Sequence, residues 1–158
     1  MNIVQLKWKK LRPHARIPVQ ASSQAACFDL SLALEADEEI VLEPGQIYAL
    51  STGLAVEIPS GFEMQVRARS GLALKSGLCL VNGVGTIDSD YRGELKAIVT
   101  LLGKQNLRLK NGDRIAQALV ANVTPVMHLE VEALGETVRG AGGFGSTGVS
   151  GGGPGVSP

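Results

Sequence analysis

The chain lacks three things that would sort it quickly: an excess of one charge, paired cysteines and a long apolar run. Its 158 residues carry 15 basic and 15 acidic side chains, a formal net charge of zero at pH 7. A nucleic-acid polymer or an anionic membrane usually demands a basic excess in its partner, so neither is expected as the main partner. A small anionic ligand needs only a local arginine cluster, and that class stays open. Cys27 and Cys79 show no CxxC spacing and no nearby histidine, which argues against zinc and redox-motif chemistry. His14 and His128 stand far apart without metal-ligand spacing. No window approaches ~18 consecutive apolar residues, the length that would span a bilayer. Residues 1–10 mix lysines with apolar side chains and do not read as a secretory signal. These absences predict a soluble, cytoplasmic protein with reduced thiols, and a length of 158 residues predicts a single domain.

What is present has a period of two. Val4, Leu6 and Trp8 alternate with polar residues, as do Leu30, Leu32 and Leu34. Short strands are expected at 40–42, 47–50 and 54–58. The cleanest runs from Phe62 to Ala68, with Met64 and Val66 on one face and Glu63, Gln65, Arg67 and Arg69 on the other. Further strands are expected at 95–101, 107–109, 115–123 and 128–133. Only residues 70–75 suggest a helix, with Ser70 as a natural N-cap. Many short strands with almost no helix indicate a sandwich, jelly roll or barrel.

Four stretches carry groups suited to chemistry. In residues 81–94, VNGVGTIDSDYRGE, Asn82-Gly83 lies between apolar arms and predicts a hairpin. Behind its returning arm stand Asp88, Asp90, Tyr91 and Arg92; this is either a ligand pocket or a surface hairpin with a polar rim. Of the two carboxylates, one suits a general base and the other fixing the loop. Arg69-Ser70-Gly71-Leu72 joins the clean strand to the helix, where free N–H groups and a guanidinium can take an anion; taken alone, a capped helix beside a surface arginine explains it better. Gln117 interrupts an apolar run and is either a ligand contact or solvent-facing.

The fourth stretch is the glycine-rich end, where nine of the chain's 20 glycines fall in residues 139–158. Its GxGxxG at Gly140, Gly142 and Gly145 fails as a dinucleotide fingerprint, because no helix follows. Arg139, Phe144, Ser146 and Thr147 suit an arm that closes over phosphates and stacks on a base. Residues 150–158 read as a disordered tail.

Five ordered motifs resemble those of the homotrimeric deoxyuridine triphosphatases (dUTPases). They are Ala26-Cys27-Phe28-Asp29-Leu30, Arg69-Ser70-Gly71-Leu72-Ala73, residues 82–93, Gly112-Asp113-Arg114-Ile115-Ala116-Gln117, and residues 139–148. Cys27 stands where the family usually has glycine, and Ala68 where it often has proline; neither change removes a group the chemistry needs. The resemblance implies a distorted jelly-roll or β-barrel domain over residues 1–138. It also implies a closing arm at 139–148, a tail at 149–158, and a threefold trimer whose active sites draw on three chains.

By the same resemblance, Asp88 activates water and binds the 3′-hydroxyl. Asn82, with Gly85, Thr86 and Ile87, reads uracil, and Tyr91 packs on the deoxyribose. Arg69, Ser70, Gly71 and Gln117 hold phosphates. Arg139, Phe144, Gly145, Ser146 and Thr147 close the site, and Asp29 reaches Mg²⁺ through water. The implied reaction is attack on the α-phosphorus of dUTP, giving dUMP and pyrophosphate. Two rivals share the fold: a dCTP deaminase, alone or bifunctional, and a non-catalytic dUTP-binding trimer. RSGLA followed by IDSDYRG favours the hydrolase.

Overall fold

The structure, a computed structural model, describes residues 3–143. Among these, the period-two pattern builds β1 (Lys7–Lys10), β2 (Phe28–Ser31), β3 (Glu39–Leu42), β4 (Ile47–Ser51), β5 (Leu54–Glu57) and β6 (Phe62–Arg67). After the one helix, α1 (Ser70–Ser76), come β7 (Leu78–Leu80), β8 (Gly85–Ile87), β9 (Lys96–Leu101), β10 (Leu107–Lys110) and β11 (Arg114–Asn122). Every neighbouring pair is antiparallel: β2-β11-β6-β8 and β4-β9-β7 form the larger sheets, β1-β5 and β3-β10 the smaller ones.

The buried faces of these strands meet in one core. Leu30, Met64, Val66, Ala116 and Ala118 come from the four-stranded sheet, and Leu50, Leu78, Val99 and Leu101 from the three-stranded one. On β6 the expected alternation holds: Met64 and Val66 are buried while Arg67 is exposed. β11 organises the larger sheet because it is paired along both edges. Gln117 stands opposite Asp29 of β2 and opposite Arg67 of β6, and a register shift between Arg114 and Ala116 bends the strand at its start.

Three local expectations need correction. β7 and β8 do not form a hairpin: β7 pairs with β9 and β8 with β6, so residues 81–84 carry the chain from one sheet to another. The Asn-Gly signal marks a tight corner and says nothing about which strand each arm will find. Ser70 is not the N-cap of α1; Arg69 takes that position in extended conformation, with no side-chain cap. Finally, no strand forms at 128–133. Leu129 and Val131 are exposed there, and alternation without a partner ladder cannot hold a strand.

The chain divides into two compact units, Met1–Pro125 and Val126–Pro158. The first holds all the named elements. In the described part of the second, turns are closed by Gly140 N–H donating to Thr137 O and Gly142 N–H donating to Arg139 O, both at 3.1 Å.

Candidate active site

The corner between β7 and β8 is tied down at both ends. Val81 N–H donates to Ile98 O at 3.0 Å, and Gly83 N–H to Leu80 O at 3.2 Å. Gly83 has φ +68°, which a side chain would resist. A Cβ on Gly85 would come within 3.2 Å of Asn82 Nδ2 and 3.4 Å of Val66 Cβ, so the bare backbone lets the exposed Asn82 amide lie close over the start of β8.

β8 then leads into a cavity of about 430 Å³, within the range that takes small ligands. Thr86, Ile87, Asp88 and Tyr91 line it together with Ala49, Glu94, Lys96 and Ile98. Tyr91 is set by its neighbours. Its N–H donates to Asp88 O at 3.2 Å and its hydroxyl to Glu94 O at 3.1 Å, and a Cβ on Gly93 would collide with that hydroxyl. Glu94 is itself anchored, because its carboxylate accepts Gly53 N–H at 2.9 Å. Beneath it, fully buried Thr52 donates its hydroxyl to Leu95 O at 2.7 Å. The loop is held by Arg92, whose Nη1 donates to Ser89 O at 2.6 Å and Tyr91 O at 3.0 Å. Asp90, the residue expected to fix this loop, is exposed and makes no hydrogen bond among the described residues.

A second group assembles where β2, β11 and the end of β6 meet. Asp29 Oδ1 accepts Arg69 Nε at 2.8 Å and Asp29 Oδ2 accepts Arg114 Nη1 at 2.9 Å. Arg69 Nη1 donates in turn to the Arg114 carbonyl at 3.0 Å. Gln117 is half-buried, and its Nε2 donates to Ala68 O at 2.9 Å, pinning the residue before Arg69. The solvent-facing alternative for Gln117 is thereby set aside. Ser70 and Gly71 follow, exposed in the first turn of α1, where backbone N–H groups have no intrahelical acceptor.

The structure therefore brings the expected residues into two groups. Asp88, Tyr91, Thr86 and Ile87 share one cavity, with Asn82 and Gly85 at the corner above it. Asp29, Arg69 and Gln117 share the other group, beside Ser70 and Gly71. No hydrogen bond or ion pair among the described residues links the two groups. Arg139 lies in the second unit, where its Nε donates to Gly142 O at 2.8 Å. Phe144, Gly145, Ser146 and Thr147 lie outside the described residues. Three charged participants went unassigned in the sequence: Glu94, Lys96 and Arg114. Each sits in or beside a quoted motif, but only strand pairing reveals which way it faces.

No cluster of three His, Cys, Asp or Glu side chains capable of holding a metal ion occurs among the described residues. Asp29 has each carboxylate oxygen in one arginine bond, which leaves a lone pair on each for a water. That arrangement fits an outer-sphere contact to a hard cation and does not fit a protein-built cage.

The chain is similar to proteins of one family. The dUTPase family model matches residues 13–148. A deoxyuridine 5′-triphosphate nucleotidohydrolase of Zymomonas mobilis is 49% identical over 148 residues, covering 92% of this chain and 99% of the relative. One of Helicobacter hepaticus is 49% identical over 150 residues, covering 95% and 92%. Among solved structures, the dUTPase of Staphylococcus bacteriophage 80alpha with dUPNHPP superposes with a TM-score of 0.82 at 27% identity, covering 92% of this chain and 99% of that one. With the family model spanning most of its length and relatives near half identical along it, this chain belongs to the dUTPase family.

Proposed function

We propose that the chain hydrolyses dUTP to dUMP and pyrophosphate, clearing dUTP from the nucleotide pool and supplying dUMP for dTMP synthesis. The observation that carries this is the shared cavity of Asp88 and Tyr91 beside the strand edge at Thr86 and Ile87. Asp88 holds the attacking water, takes its proton as it adds in line to the α-phosphorus, and binds the 3′-hydroxyl. The Tyr91 ring, fixed against Glu94 O, packs on the deoxyribose and leaves no room for a 2′-hydroxyl. Asn82 and the backbone of Gly85, Thr86 and Ile87 read the uracil edge.

A carboxylate is a weak base, so most of the rate comes from stabilising charge on the pentacoordinate phosphorus. Arg69, Ser70, Gly71 and Gln117 bind the phosphates, and Asp29 orients water toward Mg²⁺. A bound Mg²⁺ would supply charge neutralisation across the triphosphate, with Asp29 holding one of its waters. Arg139, Phe144, Gly145, Ser146 and Thr147 form an arm, residues 139–148, that closes over base and γ-phosphate. Residues 1–138 are the β-barrel domain and 149–158 a dispensable tail.

The dUTPase family match supports a homotrimer in which one copy's cavity is completed by another's phosphate contacts. Exposed Ile47 and Ile98, on paired strands β4 and β9, support a further copy covering that face. Both cysteines are free, in keeping with a cytoplasmic setting, and no helix among the described residues is long and apolar enough to cross a membrane.

The deciding experiment measures pyrophosphate release from dUTP, dTTP, dCTP and UTP. Strong preference for dUTP is expected. Ammonia release from dCTP would establish the deaminase instead, and tight dUTP binding without turnover the regulatory trimer.

A further inference from the structure

Asp29 is shared. One oxygen takes Arg69 Nε at 2.8 Å and the other takes Arg114 Nη1 at 2.9 Å, while the Arg114 carbonyl takes Arg69 Nη1 at 3.0 Å. The Arg69 side chain is only 24% exposed and Asp29 21%, so two of the three groups in this ring are largely withdrawn from water. Arg114 closes the ring twice, by its guanidinium on Asp29 and by its carbonyl to Arg69, and stands at the β11 register shift. Arg69 Nη2 is left without a protein partner among the described residues.

We propose that Arg114 is a positioning residue for Arg69, acting through Asp29. A carboxylate facing one arginine prefers the bidentate fork, which would engage two nitrogens of Arg69 and pull its terminal nitrogens away from a ligand. Arg114 prevents this by occupying the second oxygen. It also leaves Asp29 less of its charge to spend on Arg69. Arg69 therefore presents Nη2 outward in a fixed pose. The inference rests on the reading that Arg69 binds the triphosphate.

The test is a double-mutant cycle in the full-length protein with Arg114→Met, Arg114→Lys, Arg69→Ala and the Arg69→Ala/Arg114→Met pair. Arg114→Met should lower kcat/KM for dUTP by roughly 10- to 100-fold, the scale of an ångström-sized misplacement. It should weaken binding of a non-hydrolysable imido analogue of dUTP while leaving deoxyuridine binding within about twofold, since only phosphate contacts are disturbed. The pair should be no worse than Arg69→Ala alone, and Arg114→Lys should recover part of the loss. Losses that multiply in the pair, or equal weakening of deoxyuridine and analogue, would overturn the proposal. So would an unimpaired Arg114→Met beside an impaired Arg69→Ala. If Arg69→Ala itself loses nothing, the phosphate role of Arg69 falls, and the proposal with it. Should Arg114→Met fail to fold, Arg114→Lys takes its place in the cycle and is judged by the same non-additivity.

Discussion

The Tyr91 hydroxyl donates to the Glu94 carbonyl at 3.1 Å across Gly93, whose missing side chain is what makes the contact possible. The phenol that the family resemblance assigns to sugar choice is thus held by main chain, and that main chain is held by the Glu94 carboxylate on Gly53 N–H.

Gly93→Ala should therefore act like a mild Tyr91 mutation. The new methyl group occupies the hydroxyl's place, the ring swings out, and UTP gains turnover relative to dUTP. Tyr91→Ala should show the same change more strongly, while discrimination against dCTP and dTTP stays nearly intact. The kcat/KM values for all four nucleotides separate the two gates. A Tyr91→Ala enzyme that admits dCTP or dTTP yet still rejects UTP would contradict this division of labour.

Asp88→Asn keeps the side-chain shape and removes the basic oxygen. It should retain dUTP binding and lose at least ~100-fold in kcat, the low end for a general base. Unchanged turnover would shift attention to Asp90, although that residue does not line the Asp88 cavity.

Truncation after Val138 should leave a folded protein, because among the described residues the buried core lies within Met1–Pro125. Turnover should collapse with the loss of Arg139, Phe144, Ser146 and Thr147. A cut after Gly148 should be nearly silent, and loss of activity from that shorter cut would show that the tail is needed.

Thr52→Val should destabilise the fold by about 1–3 kcal/mol, the cost of stranding buried polar groups. The Thr52 hydroxyl donates to Leu95 O at 2.7 Å and accepts Leu54 N–H at 3.3 Å, and no water reaches it. Urea midpoints at one fixed protein concentration would measure the change.

Acid should release the pairing of Lys7 with Glu57, directly opposed on β1 and β5 at 2.6 Å. The Lys7 hydrogen bond and charge hold the Glu57 carboxyl below its ordinary 4.5. A carboxyl lowered in the folded state contributes stability above its unfolded value, and that contribution is lost as pH falls through the folded one. The thermal midpoints of wild type and Glu57→Gln should differ near neutrality and converge in acid. A gap that stays constant with pH would refute the pairing.

The sequence by itself determined most of the strand segments and the chemical inventory. Period-two alternation at Phe62, Met64 and Val66 marked a one-sided strand, and Asp88, Tyr91 and Arg69 stood out by residue type within recognisable motifs. Alternation is a short-range signal, set by the pleat of one strand, so it carried through to the structure wherever a partner strand existed. What it could not specify is which edges pair. Residues 78–80 and 85–87 satisfy a hairpin and a sheet-to-sheet corner equally well, and only the competition of β9 and β6 for those edges selected the corner. Residues 128–133 alternate like any strand and stay unpaired. The partners of Asp29 were likewise a tertiary decision. Arg69 and Arg114 are 40 and 85 positions away from it, and they meet because β11 lies between β2 and β6. Hydrogen-bond ladders and ion pairs between distant segments depend on how the whole core closes, and that long-range outcome decided how the candidate site residues are held.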